Sequence, residues 1–306
     1  MENNEGKPKK ENVADAIKKY KNVINSNKEV AGVPNPVATD IPRPTAFNAQ
    51  EFERTMSRET DPDLMTSYEI IKLPSRGLFY QSRISEVNVE YMTSKDEDLL
   101  TTPSLIESGN VLDFLLRRKI KTSGITPEEL LPGDRNAIIL FLRTSSYGAD
   151  YSVQVTDPRS GIPFKSSIDL LKLKYKEPKE QPDDFGHFTV ELPMRKKTAT
   201  IRLLSSGEES IIFKKAEAMR EAYSQDFSEF NTLKLKANVV AVNEKTDRSY
   251  IDKFVDAMPA GDALKIRKKI LDVSPDVDMD YEFMCKDGYK FHANLTVGID
   301  FFFPGT

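Results

Sequence analysis

Between Asp96 and Gly148 the chain sets several short helical segments end to end, each with its own start and stop, and this limits the possible folds more than any other stretch. Thr102 before Pro103 is an N-cap and first-turn pattern, and Gly109 closes the short helix they open. Thr126-Pro127-Glu128-Glu129 repeats the start signal with a capping-box glutamate, whose carboxylate satisfies an otherwise orphaned backbone N–H. Val111, Leu112, Leu115 and Leu116 recur at helical spacing, and Ala137, Ile138, Phe141 and Leu142 do so after Asp134. Helices this short are marginal alone in water, so each must bury a face against its neighbours. A packed helical core follows.

Around that core the sequence reads as strands and turns. Tyr68–Leu73 and the alternating Val87, Val89 and Tyr91 are strand candidates flanking a Pro74-Ser75-Arg76-Gly77 turn. Tyr151, Val153 and Val155 alternate, Asp157-Pro158-Arg159-Ser160-Gly161 turns, and Phe164 and Ile168 return as a hairpin. Lys172–Asp184 reads as an exposed connection. His187–Leu192 and Thr198–Leu204 follow as strands joined by a basic turn. Ser206-Gly207-Glu208-Glu209 reads as a capping box opening a long helix with Ile212, Ala216, Met219 and Tyr223 on one stripe. Asp247 and Asp262 open two more helices, the second carrying Leu264, Ile266, Ile270 and Leu271. Asp287-Gly288 marks a closing hairpin, and Phe301-Phe302-Phe303 is too apolar to remain in water, so it docks into the fold or onto a partner. The expected fold is α+β: short antiparallel β-hairpins packed around a core of short helices, in two lobes with an extended N-terminal arm. The arm spans 1–64, the first lobe 65–172, a connecting segment with the start of the second lobe 173–197, and the C-terminal helical lobe with its hairpin 198–306.

With 39% hydrophobic and 30% charged residues in a chain of 306, part of the sequence is solvated or lies on a partner. The arm fits this description. Four prolines between Pro34 and Pro44 favour extended chain, while Val13, Ile17 and Tyr20 form a weak apolar stripe suited to folding on contact. A net charge of −4 argues against a general polyanion binder. No run of 18 apolar residues suggests a membrane span, and the first residues lack the apolar core of a signal peptide. A lone cysteine, Cys285, excludes an internal disulfide framework and fits a reducing compartment.

Catalytic sets are sparse. The only histidines are His187 and His292, and Cys285 with His292 is the one conceivable nucleophile–base pair, with nothing in the sequence to activate the thiol. No glycine-rich phosphate loop occurs. The acidic runs Asp96-Glu97-Asp98 and Asp276–Asp280 lack the central glycine and distant glutamate of a calcium loop, so they read as helix-entry acids and solvated charge. Basic clusters at Arg117-Arg118-Lys119, Arg195-Lys196-Lys197 and Arg267-Lys268-Lys269 carry no interleaved aromatics and read as solvated faces. No enzyme, cofactor or small-molecule substrate is expected.

The order of LPSRGLFY, VEYMTSKDEDLLTTPSLIESGNVLDFLL, LLPGDRNAIILFLRTSSYG and a hairpin ending in IDL, then MPAGDALKIRKKI, PDVDMDYEFMCKDG and FFFP, resembles the baseplate hub or tail assembly protein family of contractile-tailed, T-even-like phages. The resemblance covers roughly residues 66–172 and 198–304. It implies a structural or assembly role, with hub, wedge or tail-tube proteins as partners, in the host cytoplasm during assembly or in the baseplate of the finished tail. In the family the two hairpin turns look like one zinc site built from CxxC pairs. Those positions fall here on Asp157, Ser160, Cys285 and approximately Gly288. One thiol is a poor match to the four Cys or His ligands of structural zinc, so no metal is expected. The alternative reading is a zinc-ribbon-derived nucleic-acid-binding adaptor that has lost its metal.

Overall fold

The computed structural model describes residues 67–223, 229–285 and 287–303, all within one compact unit, Pro62–Thr306. The arm and its Val13, Ile17 and Tyr20 lie outside the described residues. In chain order the helices are α1 (Ser94–Leu100), α2 (Pro103–Glu107), α3 (Val111–Lys119), α4 (Pro132–Tyr147), α5 (Ser206–Tyr223), α6 (Phe230–Asn238), α7 (Arg248–Asp256) and α8 (Ala260–Val273). The strands are β1 (Tyr68–Lys72), β2 (Glu86–Glu90), β3 (Asp150–Thr156), β4 (Pro163–Asp169), β5 (Tyr175–Lys176), β6 (His187–Leu192), β7 (Lys197–Arg202), β8 (Val239–Val242), β9 (Asp276–Val277), β10 (Asp280–Met284) and β11 (Lys290–Asn294). They form four two-stranded sheets, β1–β2, β3–β4, β5–β9 and β10–β11, and one three-stranded sheet in the order β6-β7-β8, all antiparallel. The fold is α+β, with small antiparallel sheets packed around helices.

Helix α4 is central because it is buried over most of its circumference. Ala137, Ile138, Ile139, Leu140 and Leu142 are enclosed, together with the polar Asp134 and Arg143. Pro132 sits at its first position and holds Leu131 extended, since the proline ring crowds a helical conformation in the preceding residue. This corrects the helix start expected at Thr126. The capping contacts form, with the Thr126 N–H and hydroxyl donating to Glu129 at 2.7 and 3.0 Å, but they close a turn that Pro132 prevents from continuing. The turn caps α5 instead: Leu130 and Glu128 carbonyls accept the Ser206 and Gly207 N–H groups at 2.7 and 2.9 Å.

The cap of α5 lies one residue earlier than the sequence suggests. Ser205 and Glu208 make the reciprocal pair, at 2.9 and 3.2 Å, because Arg202 clamps the Glu208 carboxylate there. Asp262 is likewise not a cap. It lies inside α8 and accepts the Met194 and Arg195 N–H groups, fastening the β6–β7 turn to the helix. Leu264 and Leu271 are exposed, so the buried stripe of α8 runs through Ala263, Ile266 and Val273. The connection expected at Lys172–Asp184 carries β5, whose pairing with β9 ties it to the C-terminal region. Helix α6 and strand β8 were not anticipated, although β8 completes the largest sheet.

The first turn of α4 meets the segment before β9 with no room for a side chain. A Cβ on Gly133 would collide with the Pro275 carbonyl oxygen and lie 2.5 Å from the Asp276 Cα. Gly133→Ala is expected to destabilise the fold by about 1–3 kcal/mol, the usual cost of overpacking against backbone. Chemical denaturation checks this; an unchanged midpoint would show that the contact is soft.

Candidate functional site

Asp157, Ser160, Cys285 and Gly288, the positions that the resemblance singled out, come together where the β3–β4 and β10–β11 turns meet. The first turn is closed by Asp157, whose carboxylate accepts the Arg159 N–H at 2.8 Å, and by Gly161 in the left-handed region at φ 69°. The second closes through the Gly288 N–H donating to the Cys285 carbonyl at 2.9 Å, with Gly288 at φ 84°. Across the junction the Arg159 guanidinium reaches Asp287 at 2.5 Å and lies 3.9 Å from the centre of the Tyr289 ring. Below it, the Phe164 and Phe291 rings meet edge to face at 6.3 Å.

The electrostatics of this junction favour a clasp over a reactive site. The Arg159 backbone N–H leads in holding the Asp157 carboxyl down at about 2, and the Arg159 side chain lowers Asp287. Burial, then the hydrogen bond and charge of Asp157, push the Cys285 thiol up. A thiol held protonated as a donor to a carboxylate is a weak nucleophile. The zinc ligand set does not fit either: Gly288 has no side chain, and among the described residues no three His, Cys, Asp or Glu are grouped to hold a metal. Cys285→Ser keeps a small donor in place and is expected to shift stability by less than about 1.5 kcal/mol. A thermal melt showing a larger loss would mean that the sulfur itself matters to the packing.

The Cys285–His292 pairing is not made. His292 projects from β11, exposed, with Nδ1 3.0 Å from Asp280, while Cys285 turns to Asp157. His187 stacks on Phe185 and lies 3.9 Å from Asp183. Of the phenylalanines expected to meet a partner, Phe301 and Phe302 are fully buried in this chain's own fold, and only Phe303 keeps some surface. Apolar rings beside Tyr151 and the Arg143 stem are better hidden at home than offered outside.

Phe303 lines a groove of about 830 Å3 running along the edge of β3. Tyr151 through Val155 form one wall, Asn294, Leu295 and Thr296 another, and Leu100 and Ile106 the end. Sequence reading missed this groove, since its walls come from three distant segments; the half-exposed alternation of β3 was the one available signal.

The basic clusters are partly turned inward, which corrects their reading as solvated faces. Lys119 is buried against Asp96, Arg118 pairs with the same carboxylate, and Arg117 pairs with Glu128. Arg195 donates to the Ala257 carbonyl, and Lys269 pairs with Glu180. Asp96 is the helix-entry acid that the sequence suggests, capping α1 at its third position, but it is enclosed and not solvated. No helix among the described residues is long and apolar enough to cross a membrane.

The sequence profile of a family described as T4 bacteriophage base plate protein matches residues 65–304. No curated protein and no solved structure matches the chain. The profile match takes in both turn-bearing hairpins, all eight described helices and the buried Phe301-Phe302 pair. The chain therefore belongs to the T4 bacteriophage base plate protein family, and with it to the structural proteins of the phage baseplate.

Proposed function

We propose that this protein works in the hub of the contractile-tail baseplate, binding hub, wedge or tail-tube subunits and carrying out no bond chemistry on them. The family match over residues 65–304 carries the reading. The surface supports it. Tyr68 and Ile70 stand 60% and 56% exposed on β1, which pairs with β2 alone among the described residues, so an apolar strand edge faces outward. The groove along β3 offers a second such edge. The protonated Cys285 and the separated histidines fit a role without catalysis. Assembly then takes place in the host cytoplasm, and the tail baseplate is where the protein comes to rest.

The nucleic-acid adaptor reading is weaker, because the cations of the Arg117–Lys119 cluster are engaged within the fold. Mixing the full chain with each hub, wedge and tube protein of its phage is expected to give at least one complex stable to gel filtration. Elution as a free monomer in every mixture would sink the proposal. Deleting residues 1–46 is expected to leave the melting temperature within a few degrees and to weaken complex formation at least fivefold. Undiminished complex formation would remove the arm from the proposal.

A further inference from the structure

Strand β3 has one edge in use and one open. The Asp157 N–H donates to the Ile162 carbonyl and the Leu170 N–H to the Ala149 carbonyl, which sets the phase of the ladder with β4. An antiparallel pair exchanges bonds at every second residue. Tyr151, Val153 and Val155 therefore bond to β4, and the N–H and C=O groups of Ser152 and Gln154 point the other way. The outward carbonyl before them, that of Asp150, accepts the Arg143 guanidinium at 3.4 Å. The outward groups of Ser152 and Gln154 meet no partner among the described residues, where β3 pairs with β4 alone. Both residues are exposed, and both line the groove of about 830 Å3.

The rest of the groove says what such an edge would take. Donors and acceptors that recur about every 7 Å along a strand are matched by another extended backbone and not by a compact ligand. Half-buried Leu295, Ile299 and Phe303 and the 41% exposed Ile106 offer apolar seats for its side chains. Asp300 is the one charged residue among those lining the groove; it is exposed and makes no ion pair among the described residues. We propose that β3 accepts an extended segment of a partner baseplate protein as an added strand. The segment's backbone pairs with Ser152 and Gln154, its apolar side chains lie against Ile106, Leu295 and Phe303, and a lysine or arginine reaches Asp300. In this mode the main-chain bonds supply affinity and the side-chain seats supply specificity. The inference rests on the reading that the chain acts by binding other baseplate proteins.

The test is amide hydrogen exchange at residue level on the full chain, free and in complex with the hub, wedge or tube protein that co-elutes with it. In the free chain the Ser152 and Gln154 amides are expected to exchange quickly, while those of Val153 and Val155, bonded to β4, are protected. In the complex the Ser152 and Gln154 amides are expected to slow by at least about tenfold, as amides drawn into a ladder do. Gln154→Pro removes one outward N–H and spares the bonds to β4, since proline is accepted on an edge strand. It is expected to weaken the complex at least about fivefold, the loss of one hydrogen bond. Asp300→Lys reverses the one charge of the groove and is expected to weaken the complex most at low salt. If Gln154→Pro fails to fold, exchange on the native chain still decides. A complex in which Ser152 and Gln154 exchange as they do in the free chain overturns this inference and leaves the baseplate reading standing. The absence of a complex in every mixture overturns both. Protection of these amides in the chain alone, together with a dimer on gel filtration, would make a second copy the occupant and overturns the proposal as well.

Discussion

Replacing Asp96 with alanine is expected to cost about 3–5 kcal/mol, the range seen when one partner of a buried ion pair is removed. Asp96 is fully enclosed and ties two helices, α1 and α3, together. It caps α1 through the Thr93 N–H and hydroxyl, both at 2.8 Å, and it receives Lys119 at 2.6 Å and Arg118 at 3.0 Å from α3. Without it the Lys119 ammonium stays 2% exposed, with the Tyr91 carbonyl at 3.0 Å and Glu90 no nearer than 3.8 Å. The double variant Asp96→Leu with Lys119→Met is expected to recover much of the loss, since replacing both charges by packed apolar groups is often neutral. Burial alone would raise the Asp96 carboxyl, but Lys119 and Thr93 together hold it below its ordinary 3.8. Its stabilisation is therefore present above that value and is lost as pH falls through the lower folded-state value. Denaturation curves of the native chain from pH 6 down to pH 2 (a range chosen to span about the ordinary carboxylate values) are expected to lose part of their acid sensitivity in the double variant. Equal acid sensitivity would remove Asp96 as its source.

Phe301→Ala is expected to destabilise by about 3–5 kcal/mol, as for other fully enclosed aromatic side chains. The Phe301 ring packs 5.0 Å from Tyr151 and 6.4 Å from Phe302, and its carbonyl accepts the Arg143 Nε–H at 2.9 Å. Arg143 is 1% exposed, and its remaining donors go to the Gly148 and Asp150 carbonyls. Removing the chain from Gly298 onward is expected to be worse than the point substitution, since it also strips the buried guanidinium of an acceptor. Guanidinium chloride titration separates the two. A Phe301→Ala midpoint equal to that of the native chain would mean that the terminal turn is dispensable to the fold and free to engage another protein.

The sequence revealed most where structure is set by neighbours along the chain. Pro103, Pro132, Asp247 and the Asp287-Gly288 turn act within four residues of themselves, and helices and hairpins begin or bend close to them. It misled where a distant contact overruled a local signal. The capping pattern at Thr126 was stopped by a proline six residues on, and the cap of α5 shifted because Arg202 holds Glu208. Asp96 was legible as a helix-entry acid but not as an enclosed one, because nothing local tells that Lys119 returns to it 23 positions later. That the turns of Asp157 and Cys285 meet was suggested only by the resemblance, since spacing alone does not place residues 157 and 285 side by side, and the Arg159–Asp287 contact between them was not foreseen. The groove along β3 is assembled from separate segments and left no local trace beyond the alternation of the strand itself.

The most direct test of the baseplate role is to delete this gene from the phage that carries it and view the particles by electron microscopy. Filled heads with tails whose baseplates are missing or incomplete are expected, with normal baseplates restored by supplying the native chain from a plasmid. Infectious particles with complete baseplates in its absence would contradict the account.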